Sequence, residues 1–468
     1  MYQKILKGVF VAGLSWIALA PAVSAQAVTA PKSAPGLLDH FSAARKYDPQ
    51  YLAAFAARDA AEQGLIVADA AFGPKITLSG SSFVTNRVEE STNFFGQKRE
   101  SNREFSSHLA QIQARQSIYR SRDHKASLQA MAQLESAQSI LQYAEQDLAY
   151  RLLTRWVEVL AAREQVVFAT EALTAATEYL KETERRQKGG ESTIQELDLA
   201  KARVMQTEAQ VSETKAQLEV VEIALTDIVG PGARVPDGLS MKGLNTLKHA
   251  RFADQALIDL IEEQNFEVIA ARFQEEAARL EREKASADKR PTLDAYVSVS
   301  KGENDSVSSV KDENRVGLQF SMPLYMSGAI DASIAQADAN YRKAQAQARA
   351  TLLRVRSEAL AANSSLLALG ARVFAADRAA QAAALVLQAQ QRGLKAGVNS
   401  RAEVAQSKQE LISAQRQQVS TRRDYVTNWL KLQQAVSNFN DPMLSSIEAT
   451  MSLTALSTPS APSTQVAR

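Results

Sequence analysis

The 468 residues contain no cysteine. That excludes disulfides, thiolate metal sites, cysteine nucleophiles and a lipid-modified N-terminal cysteine. Glycine (19) and proline (12) are too sparse for a collagen-like or broadly disordered chain. Neither sign of charge dominates: 54 Lys and Arg face 52 Asp and Glu, leaving a net +2. A basic nucleic-acid binder is therefore not expected. The four histidines, His40, His108, His124 and His249, are scattered without metal-ligand spacing. Neither a G-x-S-x-G nor a G-x-x-x-x-G-K-[ST] segment occurs. The adjacent acids Glu262-Glu263 and Glu275-Glu276 read as solvated helix charges, because neighbours on a helix face different ways. We expect no enzymatic activity, no cofactor and no metal. With no nucleotide site, any energy the protein's work requires has to come from a partner.

Long apolar runs are scarce too. Residues 1–25 read as a secretory signal peptide, with Lys4 and Lys7 ahead of an apolar stretch over 9–20 and small residues at Val23-Ser24-Ala25. Residues 26–35 read as a linker. No later segment has 18 consecutive apolar residues. Beyond the leader, the chain is expected to enter a membrane as strands or not at all.

What is present is a duplication. Gly73-Pro74-Lys75-Ile76-Thr77-Leu78 answers to Lys289-Arg290-Pro291-Thr292-Leu293, each opening an alternating segment. Gln116-Ser117-Ile118-Tyr119 answers to Met322-Pro323-Leu324-Tyr325, each closing a second alternating segment. Lys188-Gly189-Gly190-Glu191 answers to Lys395-Ala396-Gly397-Val398, each interrupting a long helical run. The offset, about 206 to 217 residues, is far beyond a solenoid period. Two copies of one large unit are expected, over 36–230 and 250–440. An irregular connector over 231–249 joins them, and 441–468 forms a flexible tail.

Each unit reads helix, strand, strand, very long helix, turn, long helix. Strands are expected at about 75–87 and 104–119, then at about 291–301 and 313–325. Leu293, Ala295, Val297 and Val299 alternate with polar partners, as do Val316, Leu318 and Phe320. A phase change near Leu109 and Ile112 suggests a bulge. The loop after the first strand is about ten residues longer in the first copy, and the shorter loop of the second copy begins at Gly302. Residues 121–187 hold no Gly or Pro, and 331–391 hold only Gly370. About 65 helical residues span roughly 100 Å. Leu197, Val204, Val211, Leu218 and Leu225 recur every seven residues, a coiled-coil seam. Val404, Leu411, Gln418, Tyr425 and Leu432 keep it less strictly.

Four two-faced strands cannot close a barrel, and an open edge in lipid leaves backbone groups unsatisfied. Oligomerisation follows: two chains supply eight strands, three supply twelve. The helices would then continue from one end of the barrel as a conduit through an aqueous compartment.

At this point the residues resemble the TolC-like outer-membrane channels, or outer-membrane factors. The markers are Tyr47-Asp48-Pro49, the passage from Val67 to Pro74, Val316-Gly317-Leu318-Gln319-Phe320-Ser321-Met322-Pro323-Leu324-Tyr325, the two glycine turns, and the duplication over about 36–440. The resemblance implies an α+β membrane protein. Each duplicated unit is a two-stranded β-hairpin with very long coiled-coil helices, and a homotrimer builds a 12-stranded barrel continuing into an α-helical periplasmic tunnel. Implied partners are outer-membrane lipid, a periplasmic adaptor (a membrane fusion protein) and an inner-membrane ABC transporter or other pump. The run Gln113-Ala114-Arg115-Gln116-Ser117-Ile118-Tyr119-Arg120 is similar to the branch that secretes unfolded protein by the type I route. Small-molecule or multidrug efflux is the alternative. A periplasmic coiled-coil adaptor is an alternative of another class, which would carry one helical hairpin where this chain has two.

By the same resemblance, the turns at Gly189, Gly190, Ala396, Gly397 and Val398 face the adaptor. Gln195, Glu196, Leu394, Asn399, Glu403 and Gln406 fall where the family constricts its periplasmic entrance. Leu394 and Asn399 stand where well-known members carry Tyr and Arg, and of two acids only Glu403 remains. The family's ion-pair lock is not expected in that form, whereas a ring of Glu403 carboxylates would favour cations. Read without the resemblance, the turns are plain hairpin turns and Glu403 is a solvated helix charge.

Overall fold

A computed structural model describes residues 36–92, 94–96, 98–241, 252–304 and 309–452. The expected leader, the linker, the last part of the connector and residues 453–468 lie outside the described residues.

The first copy runs α1 (Leu37–Tyr47), α2 (Pro49–Asp69), a short 3-10 turn, β1 (Lys75–Thr92), β2 (Lys98–Arg120), α3 (Ser121–Lys188) and α4 (Ile194–Val229). The second runs α5 (Asp254–Gln264), α6 (Phe266–Ala287), β3 (Thr292–Asn304), β4 (Ser309–Ser321), α7 (Ala329–Lys395) and α8 (Arg401–Ala435). A ninth helix, α9 (Asp441–Ser452), follows.

Helices α3 and α7 are 68 and 67 residues long. At 1.5 Å per residue each spans about 100 Å. α3 packs against α2, α4, α6 and α8, and α7 against α6 and α8. The core is a belt partway along these helices, where Leu148, Leu152, Leu153 and Trp156 of α3 meet Leu225, Leu257, Ile261 and Leu430. Burying each such side chain contributes about 1.5–3 kcal/mol.

Short helices start at matched breaks. Asp48 caps α2 by accepting from the Tyr51 N–H at 2.8 Å. Asn265, 217 positions later, caps α6 by accepting from Glu267 and Val268. The Arg151 guanidinium grips the Asp48 carboxylate at 2.7 Å. Burial raises the Asp48 pKa, but hydrogen bonds from Arg151 and from the Tyr51 N–H outweigh it and hold the carboxyl below its usual range.

The sheet is antiparallel in the order β1-β2-β3-β4. The first hairpin is longer because its strands extend to 18 and 23 residues against 13 and 13 in the second, not because its loop is longer. β3 continues through Gly302 to Asn304, where a loop was expected to begin, and residues 305–308 lie outside the described residues. β4 stops at Ser321, ahead of Pro323, which has no N–H for the ladder. No register shift occurs at Leu109 or Ile112. The bulge lies between Ser117 and Tyr119.

The C-terminal segment is also corrected. Residues 441–452, expected as flexible tail, form α9, with Leu444, Ile447 and Met451 buried in the core. Pro442 sits in its first turn, where a missing N–H costs nothing. Asn440 accepts from the Met443 N–H at 2.9 Å. Part of the expected connector is anchored too, through buried Val235 and Met241. In α4 the heptad seam is half-buried at Leu197, Val204 and Leu218 and buried at Val211 and Leu225. In α8 the buried line lies one residue further on than expected, at Ile412, Val419 and Val426.

Candidate functional site: two sheet faces and two helix tips

Cross-strand register assigns every strand residue to a face. One face carries the rows Ile76–Ala114–Val297–Val316 and Leu78–Ile112–Val299–Asn314, with Leu293–Phe320 and Ala295–Leu318 below. Most of these side chains are exposed, Leu78 at 77% and Val316 at 81%, while Ala114, Leu293 and Ala295 are half-buried. A contiguous exposed apolar band marks an interaction surface. Both long edges, β1 and β4, are unpaired among the described residues.

The other face is polar, and the bulge shapes it. Arg115 and Arg120 are five residues apart and would fall on opposite faces of a regular strand. The extra residue at Ile118 turns Tyr119 onto the apolar face beside Leu293 and Arg120 onto the polar face beside Thr292. Both guanidiniums then converge on Asp294. Arg120 donates from Nε at 2.9 Å and from Nη2 at 2.7 Å, and Arg115 from Nη2 at 2.5 Å. The Ser117 hydroxyl donates at 3.4 Å. Asp294 is buried while both arginines keep solvent contact. The clamp ties the last strand of the first copy to the first strand of the second. Tyr296 lies over Gly317 on the same face, where a Cβ would sit 2.9 Å from the tyrosine oxygen.

At the far end, α3–α4 and α7–α8 reverse through one geometry. Gly190 and Gly397 have φ of +77° and +75°. Glu191 donates to the Arg186 carbonyl and Gly190 to that of Gln187. Val398 donates to Gly393 and Gly397 to Leu394. Both are Schellman closures, which require the left-handed backbone that glycine adopts at little cost. Gly189 is different: its φ is −83°, and the same position in the second copy is Ala396. The apolar Val398 stands 81% exposed at the second tip.

The candidate entrance residues separate into three groups. Glu196 and Glu403 are both third residues of their helices. Glu403 closes a capping box with Ser400, its carboxylate accepting from the Ser400 N–H at 2.8 Å while Ser400 Oγ accepts from the Glu403 N–H. Thr193 caps α4 and Glu196 accepts from Ser192 Oγ. That hydrogen bond, then the one with Thr193, lowers the Glu196 pKa. Leu394 and Asn399 are half-buried at the second turn. Asn399 donates to the Gln390 side chain at 2.5 Å across Gly393, where a Cβ would collide with it. Gln195 is exposed, and Gln406 lines a cleft of about 600 Å³ between α3, α4 and α8 with Tyr179, Leu199, Arg203 and Arg416. Glu403 is thus a helix cap first. Thr193-x-x-Glu196 and Ser400-x-x-Glu403 were readable as capping signatures.

One pair was missed. Arg401, the first residue of α8, bridges to Glu182 of α3 at 3.2 Å. It joins the two hairpins near their tips. No spacing in sequence announces it, because its partners belong to different copies.

The apolar sheet face and the tips, separated by helices of about 100 Å, define the class: an outer-membrane protein whose strands meet lipid and whose helices reach into the periplasm. The chain belongs to the outer membrane efflux protein family, which it matches over residues 41–231 and 257–438. It is 27% identical over 309 residues to the proteases secretion protein PrtF of Dickeya chrysanthemi, covering 64% of this chain and 66% of that one. It is 27% identical over 320 residues to the outer membrane protein TolC of Vibrio cholerae, covering 65% and 68%. The chain therefore spans about two thirds of the length of these relatives. Among solved structures it resembles the CmeC outer membrane channel of Campylobacter jejuni, at 15% identity and a TM-score of 0.74, covering 89% of each chain. That likeness is one of fold. The relatives are channels and secretion proteins, not enzymes.

Proposed function

We propose that the protein is the outer-membrane exit duct of a tripartite export system, working as a homotrimer. The observation that carries this is the open four-stranded sheet with an exposed apolar face. In lipid, β1 and β4 need partners, and pairing β4 of one chain with β1 of the next supplies them. Three chains give a 12-stranded barrel, apolar outside and polar inside. α3, α4, α7 and α8 continue it as the periplasmic tunnel. The tips at Gly189, Gly190, Ala396, Gly397 and Val398 meet a periplasmic adaptor, with exposed Val398 as an apolar contact. Gln195, Glu196, Leu394, Asn399, Glu403 and Gln406 surround the entrance, and the Arg401–Glu182 bridge holds the two hairpins of each chain together there.

The cargo we favour is unfolded protein moved by an ABC transporter in type I secretion. PrtF, a proteases secretion protein, and the run from Gln113 to Arg120 support this branch. Small-molecule efflux is the second reading, favoured by the family's description. Membrane fractionation with a heat-labile trimer on gels tests the duct. Deleting the gene, then recording the extracellular proteome and drug susceptibility from the same cultures, tests the branch. Loss of a few large secreted proteins with unchanged susceptibility supports type I secretion. Broad drug sensitivity with a normal secretome makes efflux the correct reading.

A further inference from the structure

Charge is sorted between the two faces of the sheet. On the polar face, the described side chains include the cations Lys75, Arg87, Arg115, Arg120, Lys311 and Arg315, against the acids Asp294 and Glu313. On the apolar face, at and beyond the edge of the band, Glu90, Glu100, Glu104, Glu303 and Asp312 outnumber Lys98 and Lys301. The near-neutral chain thus hides two oppositely charged surfaces. Arg87 lies over the Phe105 ring at 5.9 Å, which independently places both on one face. The bulge sharpens the sorting, because without it Arg120 would point the other way.

We infer that the inner wall of the barrel is an anion-favouring collar that selects acidic polypeptide segments as cargo. The inference rests on the trimeric duct, which turns the polar face inward. The collar is densest at the base of the strands. There Lys75 and Arg115 are directly paired across β1 and β2, and Arg120 lies two pleat repeats below, opposite Thr292. Against these three cations stands the single carboxylate of Asp294. It holds two guanidiniums in fixed positions while neutralising one charge. Three chains repeat the arrangement around the axis. In a narrow lumen with low-dielectric walls, one sign of fixed charge raises the local concentration of the opposite sign. A segment rich in Asp and Glu therefore dwells in the collar, and a basic segment is repelled.

The test uses the purified protein in planar bilayers in about 0.1 M KCl, with polyglutamate or polylysine of equal length added at the barrel side. Polyglutamate should block longer than polylysine. The double variant Lys75→Gln/Arg115→Gln, which leaves Asp294 paired with Arg120, should shorten polyglutamate block by about threefold per charge removed, for charges ~7 Å away in water. Raising KCl to 1 M, where screening acts within about 3 Å, should narrow the gap. Lys301→Gln, on the outer face, should leave block unchanged. Longer block by polylysine, or unaltered polyglutamate block in a conducting double variant, overturns the collar and leaves the duct standing. A wild-type protein that forms no conducting oligomer removes the duct and the collar together.

Discussion

The two copies agree at one end and differ at the other. From Gly190 to Glu196 and from Gly397 to Glu403 the offset is constant. The same Schellman closure, hydroxyl cap and acid recur. At the sheet, Thr77 of the first copy stands where the second has Asp294, and the first copy enters its long helix through a bulge where the second uses Pro323 and a turn at Gly328 with φ of +79°. The difference shows what each end demands. A helix reversal has few backbone solutions, so both copies keep one. A strand-to-helix passage has several, and a single clamp joining the copies is enough.

The largest effect should come from removing that clamp. Asp294→Ala leaves two guanidiniums without their shared carboxylate and should cost about 3 kcal/mol, the low end for a broken buried pair because both arginines retain solvent contact. Thr77→Ala, at the matching position, should cost under about 0.5 kcal/mol. Melting of the proposed trimer on gels compares them, and equal losses would refute a role peculiar to the second copy.

Next comes the turn. Gly190→Ala and Gly397→Ala should each cost about 1–2 kcal/mol, since both place a Cβ on a left-handed backbone. Gly189→Ala should be neutral or slightly stabilising, because the second copy already has alanine there. Thermal unfolding of the three variants reads the contrast directly.

A subtler difference lies in the core. His40 of α1 and Leu257 of α5 are both buried, and 217 positions separate them. His40 Nδ1 accepts from Trp156 Nε1 at 3.1 Å. Burial lowers its pKa below 6.5, and the nearby Asp39 only partly opposes this. The folded state then binds fewer protons than the unfolded one. Its contribution is complete above about pH 6.5 and declines as pH falls below that value. His40→Leu should flatten the melting temperature between pH 7 and 5. An unchanged slope would assign the dependence to another group.

The smallest change in stability is expected from Arg401→Ala, at most about 0.5 kcal/mol for an exposed pair. Its conductance should nevertheless rise, because the bridge holds the hairpins of different copies together at the proposed entrance. Single-channel recording decides, and unaltered conductance would leave the bridge a surface contact.

Much of this was legible in the sequence, and the failures have physical causes. Period-two alternation made β3 and β4 plain, since Leu293 to Val299 alternate cleanly. Leu109 disguised the true bulge: it is apolar, yet lies on the polar face against Gly302. The flexible tail expected from residue 441 hides α9, because Pro442 breaks a helix in mid-run but is at home in the first turn of one. The five turn residues could be found from glycine and spacing. The roles of Glu403 and Glu196 could not be weighed until their hydrogen bonds showed them engaged as caps. The segregation of Arg and Lys from Glu and Asp needs register. A composition near neutrality conceals it, and one residue of slippage would reverse it.

The two open edges of the sheet also bear on biogenesis. A chain that can satisfy its edge strands only with its neighbours has no stable place in lipid alone, so insertion and assembly in the proposed trimer become one event. Its yield then rises more steeply than in proportion to the number of chains present. A single defective copy spoils two sound ones, which would make strand-edge mutations dominant over a normal gene in the same cell.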